Sequence, residues 1–307
     1  MKKIILLFSV FFIFGIGIFV SCKQSDSKKD KESIIKGTAT LLVDETIKPI
    51  IEDQIAVFES TYDAKIVLDA KSEKEVIQTL IKDSTGLVVL SRPLNSDEIK
   101  FFGQFKIKPK TTKFATDAIA LISNKKDTDT LIAMKDVVAF LKGQPQTKIK
   151  GLVFDNPNSS TVRYIKDLAG VKGLPKNGVF SFKTNEEVIK FVSENDGMIG
   201  IVGVNWLSQP SASILPLMKK INVLSVKGLK DNQYYSPTQN DIAEMKYPLA
   251  RDLYIINCQG YSGLGMGFSS FIAGDIGQRI ILKSGLLPIR VPGRKLQIRS
   301  QIINDKE

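Results

Sequence analysis

The sequence predicts an α/β protein of two lobes, each a mostly parallel sheet flanked by helices. Three observations carry that expectation. From Thr38 onward, short apolar runs alternate with segments whose apolar residues recur at helical spacing. The alternation starts afresh after Lys113. About 270 residues follow the polar stretch that ends at Lys36, more than one compact core ordinarily organises.

The elements follow in order. Thr40–Val43 reads as a strand, and Ile47, Ile51, Ile55 and Phe58 share one face of the helix after it. A strand is expected near Lys65–Leu68, then a helix with Val76, Ile77, Leu80 and Ile81 on one side, then a strand at Leu87–Leu90. This β-α-β-α-β order requires crossover helices and hence a covered, mostly parallel sheet. Asn95-Ser96-Asp97-Glu98 opens a further helix. In the second series, Asp117–Ile122 is a strand, Met134–Leu141 a helix, Gly151–Phe154 a strand and Val162–Leu168 a helix. Glu186–Val192 is helical by pattern and Met198–Val202 is a strand. Gln209–Met245 is loop-rich. Leu253–Ile256 is read as a strand and Gly267–Ser284 as one helix. No repeat of fixed period is visible.

Ahead of these elements, Lys2 and Lys3, an uncharged run Ile4–Val20 and the small Ser21 before Cys22 make the layout of a secretory signal. It resembles that of bacterial lipoproteins, whose cysteine takes a diacylglycerol. The resemblance implies a signal peptide over 1–21, lipidation at Cys22, and a tether over 22–36 too polar to bury a core. The alternative is an uncleaved anchor, since the apolar run is at the short edge of a spanning helix. Both place the remainder outside the cytoplasm, in the periplasm or cell envelope at a membrane.

Composition narrows the chemistry. With 0 His, the Ser/His/Asp and Cys/His nucleophile systems and most transition-metal sites are removed together. No enzyme activity, metal or cofactor is expected. Beyond Cys22 the other cysteine is Cys258, set in an apolar run and read as a small core residue with no disulfide partner. The net charge of +11 suits an anionic partner or a position near anionic headgroups. No basic run interleaved with aromatics appears, so nucleic acid is not expected.

In open α/β sheets a ligand sits beyond the carboxyl ends of the strands, where helix N-termini present free amides. Four such turns stand out: Asp44-Glu45-Thr46, with Thr46 read as a cap; Lys71-Ser72-Glu73; Ser91-Arg92-Pro93-Leu94; and Asp155–Thr161, leading into Val162-Arg163-Tyr164. Taken singly, each is accounted for by helix capping. Taken together, hydroxyls, amides and an arginine suit a small oxyanion held by directional hydrogen bonds, and no activated nucleophile can be assembled from them.

With TLLVDETIKPII, SRPLNSDE, NPNSST, DGMIGIVG, YPLARDLYI and FIAGDIGQRIILKSGLLPI in this order, the chain resembles the PstS-type phosphate-binding proteins of ABC transporters from about Thr38 to Pro288. The resemblance implies a two-lobed type II periplasmic binding fold. Lobe 1 would comprise 37–113 and 248–307, and lobe 2 would comprise 114–247. Crossings are expected near Lys110–Thr116 and Tyr247–Arg251, about which the lobes close. It also implies a monomer that captures phosphate or a related oxyanion for an ABC permease, with Thr46, Ser72, Ser91, Arg92, Ser159, Ser160 and Thr161 as ligand shell. Two departures fall in that shell. Asp44 and Glu45 stand beside Thr46, and Asp155 and Asn156 occupy the region where the family carries an arginine. Arg92 is expected to supply the cation, unless Glu98 or Asp44 pairs with it. The alternative function is a degenerate binding fold that serves as an envelope scaffold or sensor. Trp206 is read as a core residue or, if close to the cleft, as a reporter of closure.

Overall fold

A computed structural model describes residues 32–83, 86–144, 149–291 and 293. The expected signal peptide, the lipidation site Cys22 and most of the tether lie outside the described residues. From the amino end, β1 (Lys36–Asp44) leads through a 3-10 turn (Glu45–Ile47) into α1 (Lys48–Thr61), followed by β2 (Asp63–Lys71), α2 (Glu73–Asp83), β3 (Leu87–Leu90) and α3 (Ser96–Gln104). The chain then runs through β4 (Lys110–Asn124), β5 (Leu131–Ala133), α4 (Met134–Leu141), β6 (Gly151–Phe154), α5 (Ser160–Ala169), β7 (Val179–Ser181), α6 (Asn185–Glu194), β8 (Met198–Gly203) and the short α7 (Val204–Ser208). Last come β9 (Ile221–Val223), β10 (Ser225–Lys227), α8 (Gln239–Ala243), β11 (Ala250–Asn257), α9 (Leu264–Ala273), α10 (Asp275–Lys283) and β12 (Leu287–Pro288).

One lobe is built on the strand order β2-β1-β3-β11-β4 and the other on β4-β8-β6-β7. The outer strands of each are parallel, β1 with β2 and β3 in one, β6 with β7 and β8 in the other. The crossing strands are antiparallel to their neighbours. β4 belongs to both lobes: its first part pairs with β11 and its second, from Ile119, with β8. Just beyond that switch Ile119 N donates to Leu249 O at 2.9 Å, so the two crossings touch. Parallel strands buried on both faces are apolar throughout, which explains Leu41–Val43, Leu87–Leu90 and Leu152–Phe154.

The apolar face predicted for α1 is buried through Ile50, Ile51, Ile55 and Phe58. Phe58 meets Phe268 and Phe271 of α9 edge-on, with ring centroids 5.1 and 5.2 Å apart, an arrangement worth about 0.5–1.5 kcal/mol beyond area burial. Cys258 is buried and unpaired, and burial pushes its thiol up to about 12. No helix among the described residues is long and apolar enough to cross a membrane.

Three expectations need correction. The single helix read over Gly267–Ser284 is two, because Gly274 is extended at ψ 174 and separates α9 from α10. The strand read from Asp117 begins at Lys110, since Lys110–Lys113 are polar and carry no apolar signal yet pair with Tyr254–Asn257. The loop-rich stretch contains β9, β10 and α8, each too short for periodicity to show.

Gly277 marks a close joint of the first lobe. A Cβ there would lie 2.5 Å from the carbonyl oxygens of Phe271 and Ile272, and Gly277 O accepts from Gln54 Nε2 at 2.9 Å. Gly277→Ala is expected to lower stability by about 1–3 kcal/mol through overpacking. Gly103→Ala in α3, where a methyl meets open space, should raise it by about 0.5–1 kcal/mol. Denaturant midpoints at constant m-value check both.

Candidate functional site

The site is built where β1 and β6 end, one strand from each lobe. β1 delivers Asp44, fully buried, whose Oδ1 accepts from Thr46 N at 3.3 Å and from Thr46 Oγ1 at 3.1 Å. Asp44 therefore caps the 3-10 turn. Thr46 is not the helix cap it was read to be: α1 opens two residues later, with Pro49 in its first turn and no side-chain cap. Released from capping, the Thr46 hydroxyl also lies 3.2 Å from Asp155 Oδ2 of the other lobe. Its carbonyl accepts from Asn205 Nδ2 at 3.0 Å and Trp206 Nε1 at 3.1 Å, both on α7. Trp206 is thus a buried residue that touches the site.

β6 delivers Asp155 and the start of α5. Ser159 caps that helix by accepting from Val162 N at 3.2 Å, and its hydroxyl donates to Asp155 Oδ1 at 2.5 Å. Ser160 Oγ accepts from Arg251 Nη1 at 3.0 Å. Arg251 in turn holds Asp117 Oδ2 through Nε at 3.1 Å and Nη2 at 2.9 Å, with side chains 2% and 0% exposed. Asn185, the first residue of α6, bridges the lobes: its Nδ2 donates to Glu45 Oε2 at 2.7 Å and to Asp155 Oδ2 at 3.2 Å. Thr161 Oγ1 and Asp44 Oδ2 are buried without a hydrogen-bond partner.

A second cluster lies at the starts of α2 and α5. Glu73 accepts from Arg163 Nε at 2.7 Å and Nη2 at 3.1 Å, and from Arg92 Nε at 3.0 Å. Arg163 Nη2 also donates to Ser91 Oγ at 3.3 Å. Lys74 N reaches Asn158 O across the lobes at 3.2 Å. Arg92, expected to supply the cation of the shell, is gripped by both oxygens of Glu98 at 2.8 and 2.9 Å. The capping box of α3 places Glu98 there, because Asn95 N holds its Oε2 at 2.7 Å. Against the penalty of burial, the bonds from Arg92 keep the Glu98 carboxyl below its ordinary value. Ser72 is turned to its own helix, donating to Glu75 Oε2 at 2.5 Å.

The predicted residues thus separate. Thr46, Ser159, Ser160 and Thr161 share the inner region, Ser91 and Arg92 belong to the second cluster, and Ser72 is engaged by Glu75. Sequence reasoning missed Arg251, Asp117, Asn185, Glu73 and Arg163 as members. Asn185 opens a helix and was within reach of the helix-start rule. Arg251 could have been found from alternation, since it falls on the inward side of β11 with Leu253 and Ile255.

Burial dominates the electrostatics. It raises Asp44, with the charge of Arg251 opposing. It raises Glu45 to about 8, helped by the charge of Asp155, and Asp155 to about 7, where the Ser159 hydrogen bond opposes and the charge of Asp44 adds. At neutral pH Glu45 therefore holds its proton, and a neutral carboxyl can donate a hydrogen bond where a carboxylate would repel an anion. The assembly offers hydroxyls, amides, guanidinium groups and protonatable acids from both lobes. Such groups are of the kind that hold oxygen-rich solutes by charge-assisted hydrogen bonds.

A family model described as a PBP superfamily domain matches residues 30–275. No curated protein matches the chain. Among solved structures, it is similar to a putative phosphate ABC transporter substrate-binding protein with bound phosphate from Clostridium perfringens, at 18% identity over 83% of this chain and 100% of that one, TM-score 0.69. An ABC-type phosphate transport receptor from Vibrio cholerae is similar at 17% identity over 82% and 100% of the two chains, TM-score 0.61. PstS from Borrelia burgdorferi is similar at 24% identity over 83% and 100%, TM-score 0.51. These likenesses bear out the two-lobed fold that the sequence resemblance implied.

Two predictions follow from the buried charges. Arg251→Met leaves Asp117 unpaired out of water and should cost about 3–5 kcal/mol in denaturant unfolding, whereas adding Asp117→Leu should recover most of the loss. The second concerns pH. Unfolded, the Asp155 and Glu45 carboxyls titrate near 3.8 and 4.5, and folded at about 7 and about 8. Between those values the native state holds protons that the unfolded chain has released, so stability is fullest on the acid side and is lost as the pH rises to about 8. Glu45→Gln with Asp155→Asn should flatten that slope in unfolding series at stepped pH.

Proposed function

We propose that this chain, which belongs to the PBP superfamily, is an extracytoplasmic solute-binding protein that captures phosphate or a related oxyanion between its lobes and presents the closed form to an ABC permease. One observation carries the reading: the loops at the carboxyl ends of β1 and β6 bring Thr46, Ser159, Ser160 and Thr161 together out of water, beside the buried Arg251. Parallel α/β sheets bind their ligands at those strand ends. The structural relatives from Clostridium perfringens and Vibrio cholerae, named for phosphate transport, support the choice of ligand class.

In this reading Thr46, Ser72, Ser91, Arg92 and the Ser159–Thr161 turn make up the shell that receives the oxyanion, and the protonated Glu45 adds a donor. Affinity comes from charge-assisted hydrogen bonds in a water-poor cleft, with no bond made or broken. The lobes, 37–113 with 248–307 and 114–247, open about the paired crossings at Ile119 and Leu249. Opening parts Thr46 O from Trp206, so the single tryptophan reports the motion. A lipid on Cys22 keeps the monomeric protein at its membrane.

A second reading is favoured by a specific feature. The Thr46 and Ser159 hydroxyls already face the protein's own Asp44 and Asp155. A fold so closed on itself could serve as a scaffold or sensor in the envelope without capturing an anion.

Calorimetric titration with inorganic phosphate distinguishes the two. Micromolar binding at pH 6 that weakens by about tenfold or more at pH 9, as Glu45 and Asp155 lose their protons, is the expected outcome, with Glu45→Gln removing the pH dependence. A folded protein that gives no heat at millimolar phosphate at either pH overturns capture in favour of the scaffold.

A further inference from the structure

Glu73 is the first residue of α2, and its side chain is 5% exposed. A carboxylate at that depth must be paired, and Glu73 takes N–H groups from arginines of both lobes. Arg163, from α5, grips both of its oxygens, at 2.7 and 3.1 Å, and Arg92 adds a third donor at 3.0 Å. This is the fork-on-oxyanion geometry by which guanidinium groups hold carboxylate and phosphate alike.

The charges show which cation Glu73 satisfies. Arg92 is already matched by Glu98, which holds both of its Nη atoms. Among the described residues Arg163 makes one other ion pair, with Asp167, 3.5 Å from Nη1 and 70% exposed on the side chain. Glu73 is therefore the buried counter-charge of Arg163. The cluster adjoins the inner region along α5, whose first residues Ser160 and Thr161 lie in that region and whose Arg163 N donates to Ser159 O at 3.1 Å, and the charge of Glu73 acts on Asp44.

We propose that Arg163 and Arg92 form the oxyanion-gripping pair of this cleft, and that the Glu73 carboxylate is its built-in occupant, which an incoming oxyanion displaces. The inference rests on the capture reading above and adds its regulation. Glu73 closes the lobes when solute is scarce, and solute must outcompete it. An oxyanion in its place would meet the same three N–H donors and the Ser91 hydroxyl, whose proton is free to turn toward it. Closure and occupancy are thereby separated, because the protein's own carboxylate can hold the closed form.

The test is phosphate binding by calorimetry, read in parallel through Trp206 fluorescence, in wild type, Glu73→Gln and Glu73→Gln with Arg163→Gln, each verified as folded by circular dichroism. Removing the competing charge should tighten phosphate binding by about tenfold or more, and removing Arg163 as well should abolish the gain. Should Glu73→Gln not fold, Glu73→Asp withdraws the carboxylate by one methylene and should give a smaller gain of the same sign. Binding no tighter in folded Glu73→Gln or Glu73→Asp than in a wild type that binds phosphate overturns the occupant while capture stands. Binding in Glu73→Gln but not in wild type upholds the occupant and overturns capture by the native chain. Absence of binding in every variant overturns both.

Discussion

A carboxylate removed from water must find a cation, a proton or several hydrogen-bond donors. The crevice between the lobes enforces that requirement on Asp44, Glu45, Glu73, Asp117 and Asp155 at once. Asp117 takes Arg251, and Glu73 takes Arg163 with Arg92. Asp155 takes the hydroxyls of Ser159 and Thr46 and the amide of Asn185, and Glu45, left with Asn185, keeps its proton. The loop conformations on both sides of the crevice follow from these pairings. Thr46 cannot cap α1 because Asp44 and Asp155 hold its hydroxyl inside, and Asn185 opens α6 with its amide turned toward acids that come from both lobes.

Backbone architecture makes those pairings possible. β1 and β6 end side by side because β4 runs through both lobes and fixes the two sets of parallel strands against one another. The strand ends then face across the crevice, and short contacts such as Lys74 N to Asn158 O and Asn205 Nδ2 to Thr46 O join main chain to main chain or side chain to main chain. Contacts of that kind join the lobes without a charged side chain. The two crossing strands touch elsewhere, at Ile119 and Leu249, away from these contacts between the lobes.

Much of this was legible in the sequence, for physical reasons that also mark its limit. β1, β3 and β6 are apolar because they are buried on both faces, and α1 and α2 show their buried stripes, so periodicity found them. Ser159 and Asn95 cap helices as their residue types suggest. Apolar patterning is blind to polar residues that are buried by pairing. Lys110–Lys113 extend β4 without an apolar signal, and Arg251 and Asp117 pair across β11 and β4 at 134 residues' separation. The partner that neutralises Arg92 was nameable from the SRPLNSDE turn, because a capping box fixes Glu98 close by; that Glu73 and Arg163 complete the cluster depends on how the lobes meet.

The position of positive charge shows how a crevice of this kind can draw its cations from different elements. In the family that the sequence resembles, the fourth loop carries an arginine, and here Asp155 and Asn156 stand in that region. Arg163 on α5 and Arg251 on β11 approach the same crevice from other elements. Coulomb attraction depends on separation and on the surrounding medium, not on which strand supplies the charge, so a cation can come from another element, and here each comes with its own acid, Arg163 with Glu73 and Arg251 with Asp117. An added carboxylate cannot be relocated so simply. Buried beside a second one it retains its proton near neutral pH, as Glu45 does beside Asp155, and the crevice acquires a dependence on acidity that arginine and hydroxyl groups alone would not give it.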